Sequence, residues 1–281
     1  MKWTTPIKAS VGLFSLGVGG AVAAMAPNGD RDRRTRLRLF ESTRFAHRGL
    51  HNEKEGIPEN SLLAFRKAVE YGYGIELDVR LTADRIPVVF HDDTLLRVCG
   101  DSRSVEELTY DQLKSVRLFD TDEMIPLFQE VLDVVNGAVP LIIEIKAEYD
   151  VIDICKATMA KLYRYPGFYC VESFSPFVLK WFSIHEPNVL RGQLSMDFMA
   201  SDCMVKKPKP IRFASKYLFG NVLSKPDFIA YDFHCAESLP LKISRKVYEA
   251  KTAAWTVRSE EELTYADGYF DIIIFENFLP K

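Results

Sequence analysis

With 281 residues, 47% of them hydrophobic, and a formal net charge of −3, the chain can bury one large core. It lacks the broad basic surface that general nucleic-acid binding requires. Its five cysteines (Cys99, Cys155, Cys170, Cys203, Cys235) are odd in number, widely spaced and free of any CxxC or Cys/His cluster. They read as reduced, mostly buried thiols in a reducing compartment, not as a disulfide frame.

The run from Ala9 to Ala26 carries no charge and follows Lys2 and Lys8. Its length is borderline for a membrane span, and Ala24-Met25-Ala26 also fits a signal-peptide cleavage site. Arg31, Arg33, Arg34, Arg36 and Arg38 come directly after. Positive charge flanks a span on its cytoplasmic side, so the favoured expectation is an uncleaved membrane anchor with the rest of the chain in the cytoplasm. Secretion after cleavage is the alternative, and the arginines could also be a solvated linker. Residues 1–43 are therefore set apart from a single domain over 44–281.

From Arg44 on, short apolar strands alternate with helical patterns. Phe45-Ala46 forms the first strand; Asn60 is an N-cap for a helix whose apolar face is Leu62, Leu63, Phe65, Ala68 and Val69. Strands follow at 75–79, 141–146, 169–174, 189–194, 228–232, 253–257 and 272–275, with helices such as 151–163, 176–185 and 239–250 between them. Ser259 with Glu262 forms a capping box for the last helix. Eight β units with helical crossovers favour a parallel (β/α)8 TIM barrel, an α/β fold. Pro87-Val88-Val89-Phe90 follows the second strand too closely for a parallel crossover. It is expected as the return arm of an antiparallel hairpin turning around Asp84, which sets His91 opposite Leu77. Gly100 to Leu127 is a connecting excursion with one or two helices. The sequence ends at Lys281 without an eighth helix, and the segment before Arg44 is a candidate to cover that gap.

Glu76 and Asp78 lie two apart on a strand and so share a face. Two carboxylates this close both stay ionised only around a cation. An all-oxygen set of this kind suits Mg²⁺ or Ca²⁺ better than zinc. Flanking Ile75, Leu77 and Val79 argue for mid-sheet against a solvated face. Glu144, at the carboxyl end of another strand, is a third candidate ligand. His47 and His91 are candidate proton carriers, since imidazole titrates near neutrality; His51, His185 and His234 read as surface or structural. Arg48 could grip a phosphate with paired donors or salt-bridge to Glu76 or Glu144. Lys146 shares the inward face with Glu144, which could serve as its counter-charge. Trp255 ends a strand and either walls the pocket or packs in the core. Glu59 is not assigned to the site.

The ordered set Ala46-His47-Arg48-Gly49, Pro58-Glu59-Asn60-Ser61, Glu76-Leu77-Asp78, His91-Asp92, Ile143-Glu144-Ile145-Lys146 and Trp255-Thr256-Val257 resembles the glycerophosphodiester phosphodiesterase family over nearly all of the chain after residue 43. The resemblance implies metal-dependent hydrolysis of a glycerophosphodiester to an alcohol and glycerol 3-phosphate. It places general acid and base at His47 and His91, metal at Glu76, Asp78 and Glu144, and Lys146 in the site. Two departures bear on substrate preference. Arg258 stands where the family usually has Asn, and Phe275-Glu276-Asn277 replaces its usual Thr-Asp pair; neither is expected to touch the metal or proton-transfer set. A phospholipase D-like or C-like activity on lysophospholipids is the nearest rival, and a catalytically silent lipid-binding protein is a rival of another class. The intact charged set argues against the latter.

One loop adds a separate expectation. Met196, Phe198, Met199 and Met204, then Lys206, Lys207, Lys209, Arg212 and Lys216, follow a barrel strand on the catalytic side. Apolar and basic residues together can dock on an anionic lipid surface; a Pro-broken linker is the bland alternative.

Overall fold

The computed structural model describes residues 19–147, 150–200 and 207–280. Eight parallel strands close a barrel in the order β1 (Arg44–Ala46), β2 (Gly74–Leu81), β4 (Leu141–Ile145), β5 (Tyr169–Ser173), β6 (Leu190–Ser195), β7 (Phe228–Asp232), β8 (Lys251–Val257) and β9 (Ile272–Phe275), with β9 bonding back to β1. The remaining strand, β3 (Pro87–Val89), lies outside the ring, antiparallel to β2. Its place follows from strand length. β1 covers only Gly74 and Ile75 at the start of β2, so the edge at Val79–Leu81 is open for β3. The turn falls around Asp84 as expected, and Val79 faces Val89. Continuing that register sets His91 opposite Leu77, and the Phe90 amide donates to the Asp78 carbonyl at 2.9 Å.

Strand parity sorts the core into two layers. Outward residues such as Leu77, Ile143, Val171, Ile229 and Ile273 pack against the helices, while Phe45, Ile142, Cys170, Phe228, Ala230, Ala253, Ile272 and Ile274 fill the barrel interior. The excursion after β3 makes its own small core around Val98, Leu108, Leu113 and Ile125. Cys155 and Cys170 are buried and Cys99 and Cys235 half-buried, all four free; Cys203 lies outside the described residues.

The expected division at residue 43 falls inside the folded body. Asp30 caps a helix over Arg31–Glu41 by accepting from the amides of Asp32 and Arg33. Leu37 and Phe40 of this helix are buried with the barrel-interior residues, so it plugs the barrel floor. Phe275 meets Tyr73 and Phe278 edge-on, at 4.8 and 5.6 Å between ring centres, and the Tyr73 hydroxyl donates to the Pro280 carbonyl. The arginine run is no solvated linker at Arg33. That side chain donates Nε and Nη2 to the two oxygens of Asp227, each at 2.5 Å, and Nη2 also reaches the Val189 carbonyl. Replacing Arg33 with Ala strands the buried Asp227 carboxylate and should lower stability by about 3–5 kcal/mol. Urea denaturation measures this.

Of the apolar run at 9–26, residues 9–18 lie outside the described residues. Residues 19–24 are helical, Met25 is buried, and the carbonyls of Val22 and Met25 accept from Tyr248 and Asn221. The cleavage-like Ala24-Met25-Ala26 is thus docked on the barrel. Among the described residues no helix is long and apolar enough to cross a membrane.

Candidate active site

The carboxyl ends of β1, β2 and β4 bring the charged motifs together, because these strands are neighbours in the closed ring although not all adjacent in sequence. Glu76 and Asp78 point inward from β2; Asp78 lies in register with Glu144, and Glu144 with Glu172. One oxygen each from Glu76, Asp78 and Glu144 lie within 4.8 Å of one another, all on buried residues. A buried, mutually repelling, all-oxygen donor set fits a divalent cation. Lys146 Nζ lies 2.7 Å from Glu144 and 3.0 Å from Asp78, the counter-charge expected for a buried lysine.

Tight backbone turns aim the first motif. Arg48 and Gly49 have φ of 55° and 81°. A Cβ on Gly49 would lie 2.9 Å from that of Ala64, so only glycine lets this turn press against the following helix. The turn points the Arg48 amide at Glu76, at 3.0 Å. The helix begins one residue later than expected. Ser61, not Asn60, is its N-cap, accepting from the Ala64 amide. Asn60 takes φ of 53° and donates its side-chain amide to Asp78 at 2.8 Å. It orients the Asp78 carboxylate instead of capping.

Arg48 pairs with neither Glu76 nor Glu144 through its side chain. Its Nη1 donates to Glu59 at 2.7 Å and its Nε lies 3.6 Å from Asp78. Glu59, left unassigned from sequence, also accepts from Arg97, which grips Asp92, which in turn meets His91 Nδ1 at 2.7 Å. A continuous ionic chain therefore runs from Asp78 to His91 across the mouth. Arg80 secures the far end, donating Nε and Nη2 to the His91 carbonyl at 3.1 and 2.8 Å.

His47 Nδ1 meets Glu276 at 2.5 Å, and its Nε2 lies 3.9 Å from Glu76. Arg258 Nε donates to the other Glu276 oxygen at 2.7 Å. The two departures from the family pattern thus contact each other, and Glu276, against expectation, touches His47. His51, expected to be surface or structural, is half-buried, with Nε2 3.8 Å from Glu276. His234 stays exposed beside Asp232, and His185 packs on Trp181. Trp255 faces inward, edge-on to Phe174 at 5.8 Å, within the aromatic upper layer of the barrel interior. A cavity of about 800 Å³ opens beside His47, lined also by Arg48, His51, Arg97, Arg258 and Glu276.

Burial lowers the His47 pKa to about 4, and the Arg48 charge adds to this against the raising effect of Glu276. His47 is therefore neutral at pH 7. Burial also pushes Glu76 well above the usual carboxylate range, helped by repulsion from Asp78, Glu172 and Glu144. For Asp78 burial is outweighed by Lys146, His91 and Arg48 and by the Asn60 hydrogen bond, so it keeps its charge. Glu172 is a fourth inward carboxylate; its Oε2 is buried without a hydrogen-bond partner, and burial raises its pKa strongly. No motif marks it in the sequence, since a single acid in Tyr-Cys-Val-Glu-Ser looks like any strand residue.

The glycerophosphoryl diester phosphodiesterase family model matches residues 47–270. The chain belongs to that family. It is 36% identical over 130 residues to a glycerophosphodiester phosphodiesterase of Bacillus altitudinis, covering 44% of this chain and 47% of that protein. Against glycerophosphodiester phosphodiesterase 1 of Bos taurus it is 26% identical over 259 residues, covering 80% and 74%. The matched stretch thus spans about half the length of the first of these family relatives. Among solved structures, a phosphodiesterase from Oleispira antarctica in complex with the product sn-glycerol-3-phosphate superposes with a TM-score of 0.66 at 22% identity, covering 83% and 92% of the two chains. A family protein from Silicibacter pomeroyi gives 0.68 at 22%, covering 85% and 93%. At that identity these two establish the shared barrel.

Proposed function

We propose that this family member hydrolyses small glycerophosphodiesters to an alcohol and glycerol 3-phosphate with Mg²⁺ or Ca²⁺ bound. The observation that carries the reading is the convergence of three buried carboxylates with two acid-paired histidines at one barrel mouth. Glu76, Asp78 and Glu144 would hold the cation, which when bound would polarise the phosphoryl oxygens and offset charge gained in the transition state. Arg48 and Lys146 add positive charge at the same point. The first imidazole, neutral and with Nδ1 turned to Glu276, leaves Nε2 to take the proton of the attacking oxygen. His91, held against Asp92 and more open to solvent, returns a proton to the leaving alkoxide. Trp255 shapes the wall of the alcohol side.

The test is a panel of glycerophosphodiesters and lysophospholipids assayed in EDTA and after Mg²⁺ or Ca²⁺ add-back. Metal-dependent release of glycerol 3-phosphate is the expected result. Release of free headgroup alcohol from lysophospholipids alone would favour the phospholipase D-like alternative, and no turnover of any substrate would overturn the assignment. Membrane attachment through the N-terminal apolar run, with a cytoplasmic barrel, remains our proposal for location. It rests on the uncharged run that begins at Ala9 and on the arginines that follow it in the sequence.

A further inference from the structure

The helix Lys209–Lys216 is formed by eight residues, none of them buried, so packing into the core does not explain it. It is tied to the catalytic end of the barrel by the Ser195 hydroxyl on the Ser215 carbonyl, by Arg212 Nε on the Phe198 carbonyl, and by Lys216 with Asp197. Ile211 and Phe213 on it are 48% and 46% exposed. Met199, next to Phe198, is 42% exposed, and Phe177, which follows the proline packed on Gly220, is 60% exposed. Phe213 stacks near Tyr217 and Phe219, which leads to Gly220. On the inner side Phe198 meets Phe174, and Phe174 meets Trp255 at the barrel mouth. Around these apolar tips stand exposed Lys207 and Lys209, and no Asp or Glu occurs from Lys206 to Pro226. A local excess of cations on a chain of net charge −3 calls for an anionic partner.

We propose that this rim, Phe177, Met199, Lys207, Lys209, Ile211 and Phe213, docks on an anionic bilayer surface, seating the apolar tips at the headgroup boundary. Scattered apolar tips beside lysines match an interface of acyl chain and anionic headgroup. The aromatic path from Phe198 to Trp255 then joins that surface to the site. The contact is separate from any N-terminal attachment, because Val22 and Met25 dock on Tyr248 and Asn221 and on none of the rim residues. Met204 and Lys206 lie outside the described residues and are not needed for it.

The experiment uses the full chain carrying Phe213→Trp, read as the emission difference from the parent, with vesicles of phosphatidylcholine alone or mixed with phosphatidylglycerol and with brominated acyl chains. The added indole should shift to the blue and be quenched on anionic vesicles. Reversing both lysines (Lys207→Glu, Lys209→Glu) should weaken that binding by at least about 25-fold, taking each basic residue near such a surface at about fivefold. Vesicle capture with the indole unquenched would place the contact elsewhere and overturn the proposal. So would absence of binding, or binding equal on neutral vesicles and indifferent to the lysines. Quenching is read without turnover, so its failure is distinct from failure of the proposed hydrolysis.

Discussion

Glu76→Gln should reduce glycerol 3-phosphate release by at least about a thousandfold, or about 4 kcal/mol of transition-state stabilisation. The loss comes from the ion site and not from unfolding. In the absence of a cation the buried Glu76 carboxylate is repelled by Asp78, Glu172 and Glu144, so the amide should leave the metal-free protein as stable as the parent or more so. The same repulsion dictates a pH dependence. The folded-state pKa of Glu76 is raised above its unfolded value, and burial raises those of Glu144 and Glu172 as well. Their stability contribution is full below the unfolded pKa of about 4.3 and is lost as pH rises through the folded values. In EDTA the melting temperature should therefore fall as pH rises from about 4.3 through the raised folded values. Saturating Mg²⁺ or Ca²⁺ should remove that fall and raise the midpoint, since an ion at a hundredfold its Kd adds about 2.7 kcal/mol. A melting curve insensitive to both pH and metal would argue that these three carboxylates do not share an ion.

Glu276→Gln should lower kcat by about 10²–10⁴ with little change in KM. The amide can still touch His47 but no longer fixes which ring nitrogen carries the proton, and it cannot offset the charge of an imidazolium; loss of the orienting carboxylate in a serine-protease triad costs about 10⁴. Glu276→Asp, which restores the charge on a shorter arm, should recover part of the rate. The acid limb of the pH profile adds a readout that a structural role would leave unmoved. Glu276 raises the His47 pKa against the burial that lowers it, so removing its charge should move that limb to lower pH. An unchanged rate, or a limb that stays in place, would remove Glu276 from the proton path.

Much of this was legible in the residues themselves. Strand parity put Glu76 with Asp78 and Glu144 with Lys146, since side chains two apart on a strand must share a face. The spacing from Val79 to Val89 excluded a parallel crossover and so returned His91 to Leu77. Asn60 is ambiguous in sequence because its residue type caps helices as readily as it orients a carboxylate, and only φ of 53° and a contact 18 residues away in sequence separate the two roles. Glu276 and Arg258 looked like unrelated departures, 18 positions apart, until β8 and β9 set them side by side.

The periodic pattern of apolar residues was enough to determine the barrel, its eight strands and the outlying hairpin, because burial of alternating faces is a local rule repeated along the chain. The Arg31–Glu41 helix escaped that rule. Its arginines read as surface, yet Arg33 is buried because a partner, Asp227, waits 194 residues on, and Leu37 and Phe40 have a barrel floor to fill. Charge pairing and ring closure join residues by position in space, and sequence distance carries no trace of them. Local parity and spacing were thus enough to single out the carboxylates and histidines that converge. Which carboxylate holds His47 followed from ring closure alone.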